Sequence, residues 1–78
     1  MSKQYESYNS SKDYNGINPD SSVHYAVGVI PAGVNVLHKN DRSGGQVAFS
    51  NNEKAQVNFG AEFGYWYDNA DLLVPISE

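Results

Sequence analysis

The chain has no cysteine, a single tryptophan and a single methionine in its 78 residues. Without cysteine there are no disulfides, thiolate metal ligands or cysteine nucleophiles. Small secreted domains usually depend on such cross-links, so the composition favours a reducing, cytoplasmic compartment. Long apolar runs are also missing. Nothing approaches the roughly 18 residues of a membrane span, and the opening MSKQYESYNSSKDYNG has no apolar h-region. Neither a signal peptide nor a membrane partner is expected, and the glycosylation-type triplet Asn9-Ser10-Ser11 then has little meaning. Positive charge is scarce, with 5 Lys and Arg against 9 Asp and Glu, a net charge of −4. Duplex nucleic acid is not an expected partner, because neutralising phosphates needs clustered Lys and Arg. The charge is uneven: Glu62, Asp68, Asp71 and Glu78 follow one another to the last residue with no Lys or Arg among them.

What is present divides into two stretches. Residues 1–22 hold six serines and three tyrosines and little aliphatic surface. Such a segment buries too little to offset its ordering entropy and reads as a polar arm. Tyr5, Tyr8, Tyr14 and the Asn15-Gly16 turn pair offer it a second state, an edge hairpin folded against the remainder. Residues 23–78 form the domain proper, a small one that buries only about 60% of its unfolded surface.

Short strands alternate along it. In residues 23–30, VHYAVGVI, Val23, Tyr25, Val27 and Val29 fall on one face, the period of a half-buried strand. Residues 31–33 make a turn, and residues 34–38 a second strand with Val34 and Val36 inward. The polar loop KNDRSG follows, and the Gly44-Gly45 pair lets it swing. Residues 46–50 and 54–59 form a hairpin whose Asn51-Asn52 suits a type I′ turn. There Ala55, Val57 and Phe59 alternate with Gln56 and Asn58. Residues 63–67 make an aromatic strand. Asp68 to Asp71 reads as one helical turn with Asp68 as N-cap, and residues 72–76 close the chain as a strand that Pro75 marks as an edge. The expected class is all-β, with five or six short antiparallel strands and one helical turn near residues 68–71. Closure into a small barrel would remove the exposed edges.

The stretches IPAGVNVLHKND, GQVAFSNNEKAQVNF and GYWYDNADLLVPI resemble the pattern of bacterial SH3-type domains. They are also similar to SH3-like accessory subunits such as the small peripheral subunit of photosystem I. The resemblance covers about residues 23–76 and implies an SH3-like barrel. It departs from eukaryotic proline-motif binders, since their acidic, tyrosine-rich signature is absent and the tryptophan is single. No peptide-binding residue is carried over, and this fold hosts unrelated functions.

Little in the chain calls for catalysis. His24 and His38 have no third ligand at metal-site spacing and read as surface residues. Asp68 and Asp71 share one turn, whereas glycosidase chemistry needs two carboxyls across a cleft. No serine has a nucleophile-elbow context, and Gly44-Gly45 lacks the length of a phosphate loop. The chain is expected to be non-enzymatic and to carry no metal or cofactor. The functional candidates are the consecutive rings Tyr65, Trp66 and Tyr67 with the acidic Glu62, Asp68 and Asp71, since Tyr and Trp dominate binding hot spots. Side chains alternate along a strand. As the lone tryptophan of a small barrel, Trp66 is expected in the core with Tyr65 and Tyr67 outside, and the reverse alternation would put Phe63, Tyr65 and Tyr67 inward and Trp66 outside.

The expected function is a small protein-interaction module, an accessory subunit or a phage-type inhibitor, docking on a larger protein partner as a monomer or weak homodimer. The resemblance implies an alternative, a cell-wall or glycan-binding domain. A second alternative is single-stranded nucleic-acid contact through Lys39, Arg42 and Lys54 with stacking aromatics.

Overall fold

Residues 4–60 and 64–76 are described by a computed structural model. The strands are β1 (Tyr5–Ser7), β2 (Asn35–His38), β3 (Gly44–Ser50), β4 (Lys54–Asn58), β5 (Tyr65–Asp68) and β6 (Leu72–Pro75). They form one antiparallel sheet in the order β1-β6-β2-β3-β4-β5. Two 3-10 turns, Asn15–Ile17 and Asn69–Asp71, are the only helical elements among the described residues. The all-β class and the helical turn between the last two strands are as expected.

Barrel closure is not. The sheet is open, with β1 and β5 as its edges. These edges have three and four residues, which leaves few backbone groups to join. Side chains bridge the sheet instead: the His38 ring at the end of β2 lies 5.6 Å from Tyr67 of β5.

The core follows from strand parity. Val36, Val47, Ala55, Val57, Leu72 and Val74 are buried on one face, and Ile30, Val34 and Tyr14 complete the cluster. Register aligns Val47 with Val57 and Ala55 with Tyr67, so the inward rows meet across β3, β4 and β5. Full burial of each Val, Leu or Ile contributes about 1.5–3 kcal/mol. The stretch read as an arm takes part in this packing. Tyr5, Glu6 and Ser7 pair with Pro75, Val74 and Leu73, and Tyr14 is 2% exposed. Asn15-Gly16 sits in a 3-10 turn rather than a hairpin.

Residues 23–30 are not a strand, despite their alternation. Val23 and Val27 are 40% and 51% exposed. Their backbone is paired by other means. The Asn15 carboxamide donates to the Tyr25 carbonyl and accepts from the Tyr25 N–H, both at 2.7 Å. Asn52 Nδ2 donates to the Val27 carbonyl at 2.7 Å, and Tyr8 Oη donates to that of Gly28 at 2.6 Å. Gly28 has φ of 86°, which takes the chain out of extended conformation. A Cβ there would stand 2.6 Å from the Ser10 carbonyl oxygen.

Three smaller expectations also change. The β3–β4 turn is not type I′, because Arg42 is the only described non-glycine residue at positive φ. Asn51 Oδ1 instead accepts the N–H groups of Glu53 and Lys54, each at 2.8 Å, the local capping open to asparagine. Asp68 stands at the N-cap position but makes no side-chain cap bond, and its carboxylate lies 3.8 Å from Lys54 Nζ. Pro75 lies on β6, an inner strand between β1 and β2. Only β1 reaches Pro75, since β2 pairs with Leu72 and Leu73, so its missing N–H breaks no ladder bond to β2.

Candidate interaction site

Strand β5 carries the candidate residues, and its register decides where they point. Ala55 and Val57 face inward and pair with Tyr67 and Tyr65, while Gln56 pairs with Trp66. Trp66 must therefore share the outer face with Gln56. It is 49% exposed, so the expectation of a buried tryptophan is overturned. Tyr65 lies on the core side but at the free edge, and is 59% exposed. Tyr67 is half-buried against the core cluster.

A residue missed from the sequence completes the outer face. The β3–β4 register shifts between Val47 and Phe49, a bulge that puts one extra residue on β3. Simple alternation after the buried Val47 would send Phe49 inward. The bulge turns it out, opposite Gln56 and 57% exposed. Its ring meets Trp66 edge-on, with centroids 5.8 Å apart and planes at 78°. Phe49, Gln56 and Trp66 thus form a cross-strand row over β3, β4 and β5, which strict period-two reading could not have found.

The acidic candidates are distributed unequally. Asp68 is on β5 beside this row and exposed, and Asp71 is exposed at the end of the second 3-10 turn, where its carbonyl accepts the Lys39 N–H at 2.8 Å. Glu62 lies outside the described residues. The turn itself is anchored by Asn69, which is 1% exposed. Asn69 N–H donates to the Glu53 carbonyl at 2.9 Å and its Nδ2 to the Asn51 carbonyl at 2.7 Å. These bonds tie the turn to the β3–β4 hairpin and fix the end of β5.

The two histidines separate. His24 is exposed, as expected. His38 is not a plain surface residue: it follows the buried Val36 by two positions and shares its inward face. It packs edge-on against Phe59 at 6.0 Å and Tyr67 at 5.6 Å. Among the described residues no group of three His, Asp or Glu is placed to hold a metal ion. Nor do the basic residues form one patch. Lys39 and Arg42 occupy the β2–β3 loop, whereas Lys54 begins β4 at the opposite end of the seven-residue β3.

Among the described residues no helix is long and apolar enough to cross a membrane. No protein-family model, curated protein or solved structure matches the chain.

Proposed function

We propose that this chain is a small non-enzymatic protein-interaction module, an accessory subunit or phage-type inhibitor that docks on a larger protein. Its docking surface is the β5 edge, with Phe49, Tyr65 and Trp66 as apolar anchors and Asp68 and Asp71 as the acidic rim. The exposure of these three large aromatic residues, 57%, 59% and 49%, on β3 and β5 to either side of β4 carries the reading. Rings of this kind supply contact area at low entropic cost and dominate hot spots. On the same reading the SH3-like module spans about residues 23–76, and its strands lie in residues 35–75. Strand, polar loop, strand, tight hairpin, strand, helical turn and strand succeed one another from β2 to β6, the order that resemblance implies.

The test is an affinity capture from lysate of the source organism with the parent chain, Trp66→Ala and Phe49→Ala, at matched melting temperature. One discrete protein retained by the parent and weakened at least about thirtyfold by Trp66→Ala is the expected result, equivalent to a hot-spot loss of about 2 kcal/mol. Binding to insoluble peptidoglycan instead would establish the glycan-binding alternative, since an exposed aromatic face also suits sugar rings. Steeply salt-dependent binding to single-stranded DNA or RNA would establish the nucleic-acid alternative.

A further inference from the structure

A second aromatic cluster lies on the other side of the sheet. His38, Phe59 and Tyr67 line a groove of about 290 Å³ together with Asn40, Asp41 and Ser43. Their rings are mutually near perpendicular. His38 meets Phe59 at 70° and Tyr67 at 75°, and Phe59 meets Tyr67 at 87° with centroids 5.1 Å apart. The three rings pack edge to face at one corner of the groove, and Asp41 lines it beside them.

The corner is held by backbone groups. His38 Nδ1 accepts the Asn40 N–H at 3.2 Å, which fixes the imidazole plane. Asp41 Oδ1 accepts the Ser43 N–H at 3.0 Å. The loop that carries them is closed by two bonds, from the Arg42 N–H to the His38 carbonyl at 2.8 Å and from the His38 N–H to the Ser43 carbonyl at 2.9 Å. Arg42 takes a φ of 58° in this loop, a conformation uncommon outside glycine and asparagine. Phe59 is seated over Gly45, where a Cβ would fall 2.6 Å from its ring.

From this arrangement we propose that the groove is a binding site for a methylated ammonium head group, of the quaternary type found in choline. Aromatic faces attract a cation through their quadrupoles, most effectively one that sheds its hydration easily. A trimethylammonium group is such a cation, and Asp41 adds a formal negative charge beside it in a chain of net charge −4. Lys39 and Arg42 belong to the same loop but do not line the groove. The site is distinct from the Phe49–Trp66 face and stands whether or not that face binds a protein.

Ring resonances of His38, Phe59 and Tyr67 would be followed by NMR during titration with choline chloride at constant ionic strength. A parallel titration would use 3,3-dimethylbutan-1-ol, its uncharged carbon analogue. The expected result is saturable shifts of the three rings by choline. Affinity should fall at least about fivefold with the neutral analogue, a difference of the size attributed to cation–π contacts. Asp41→Asn should weaken choline several-fold, and Trp66→Ala should leave it unchanged. Phe59→Leu should abolish the response, and if that variant unfolds, Tyr67→Leu on the edge strand takes its place. No saturable shift, equal response to the uncharged analogue, or undiminished binding in the ring variant that folds would overturn the proposal.

Discussion

The sheet carries two aromatic clusters on opposite faces, Phe49 and Trp66 of β3 and β5 on one and His38 of β2, Phe59 after β4 and Tyr67 of β5 on the other, and the two are supported very differently. On the outer face Phe49 and Trp66 meet edge-on, and both remain about half exposed. The bulge turns Phe49 outward, and Gln56 stands between the two in the register. On the inner face Phe59 and Tyr67 pack against the buried core and His38 packs on those two rings, with Phe59 seated on Gly45 and His38 held by the Asn40 N–H. Edge-on geometry is common to both, so ring contact alone does not distinguish a stabilising cluster from an available one. The difference lies in what surrounds the rings. The inner cluster is packed into the fold on one side and lines the His38–Tyr67 groove on the other, whereas the outer cluster is surface that the core does not touch.

The strongest way to break this contrast is to disturb the seat of the inner cluster. Gly45→Ala would place a methyl 2.6 Å from the Phe59 ring and 2.7 Å from the Asn58 carbonyl oxygen. The ring can swing but the carbonyl belongs to the β4 ladder, so strain cannot be relieved locally. A loss of about 1–3 kcal/mol is expected, read as a lower urea midpoint. In a domain with so small a core this would be a large share of its stability. Gly44→Ala is the control, since its nearest neighbour would be a Leu37 methyl at 3.7 Å, ordinary contact distance. Equal destabilisation by the two substitutions would show that Phe59 is not seated as described.

A milder perturbation measures the outer cluster. Phe49→Ala and Trp66→Ala each remove a half-exposed ring, and each should shift stability less than Gly45→Ala. The double-mutant cycle should show a coupling of about 0.5–1.5 kcal/mol, the value of an edge-to-face pair. A coupling near zero would mean that the two rings do not act as a unit, and the row would then lose its claim to be a single docking surface.

The same contrast explains what could be read from sequence. The β3–β4 hairpin was legible because Ala55 and Val57 alternate with Gln56 and Asn58, and its partner strands are adjacent in sequence. The outer face was not legible, because a bulge shifts the phase of β3 and reverses Phe49. Trp66 was misplaced for a related reason: consecutive rings can be assigned to faces only once Ala55 and Val57 are known to pair with Tyr67 and Tyr65. Residues 23–30 failed differently. Their alternation is genuine, but the Tyr25 carbonyl and N–H and the Val27 carbonyl are taken by the carboxamides of Asn15 and Asn52, 10 and 25 residues away. Local periodicity contains no trace of such distant partners. His38 could have been assigned inward by counting two positions from Val36, whereas its ring partners depend on how the open sheet curls.

The smallest effect concerns the carboxylate at the rim of the inner groove. Hydrogen bonding by Ser43, from its side chain and then its backbone N–H, holds Asp41 below its ordinary value of 3.8. Asp13 and Asp20 are lowered in the same way, Asp13 mainly by the Asn15 N–H and Asp20 mainly by the Ser22 side chain. A carboxyl whose folded value is depressed binds fewer protons folded than unfolded near that pH, so stability falls with falling pH there. Its contribution is complete above the ordinary value and is lost as pH drops through the lower folded value. Asp41→Asn should therefore change the melting temperature little at neutral pH, because the carboxamide oxygen can still accept the Ser43 N–H. As pH falls through and below the ordinary carboxylate range, by contrast, the melting temperature of the variant should decline less steeply than that of the parent. A parallel decline in both proteins would mean that the Ser43 bond is not made in solution. The Asp41 carboxylate would then be free to turn away from the three rings, and the inner cluster would lose the charge that distinguishes it from the outer one.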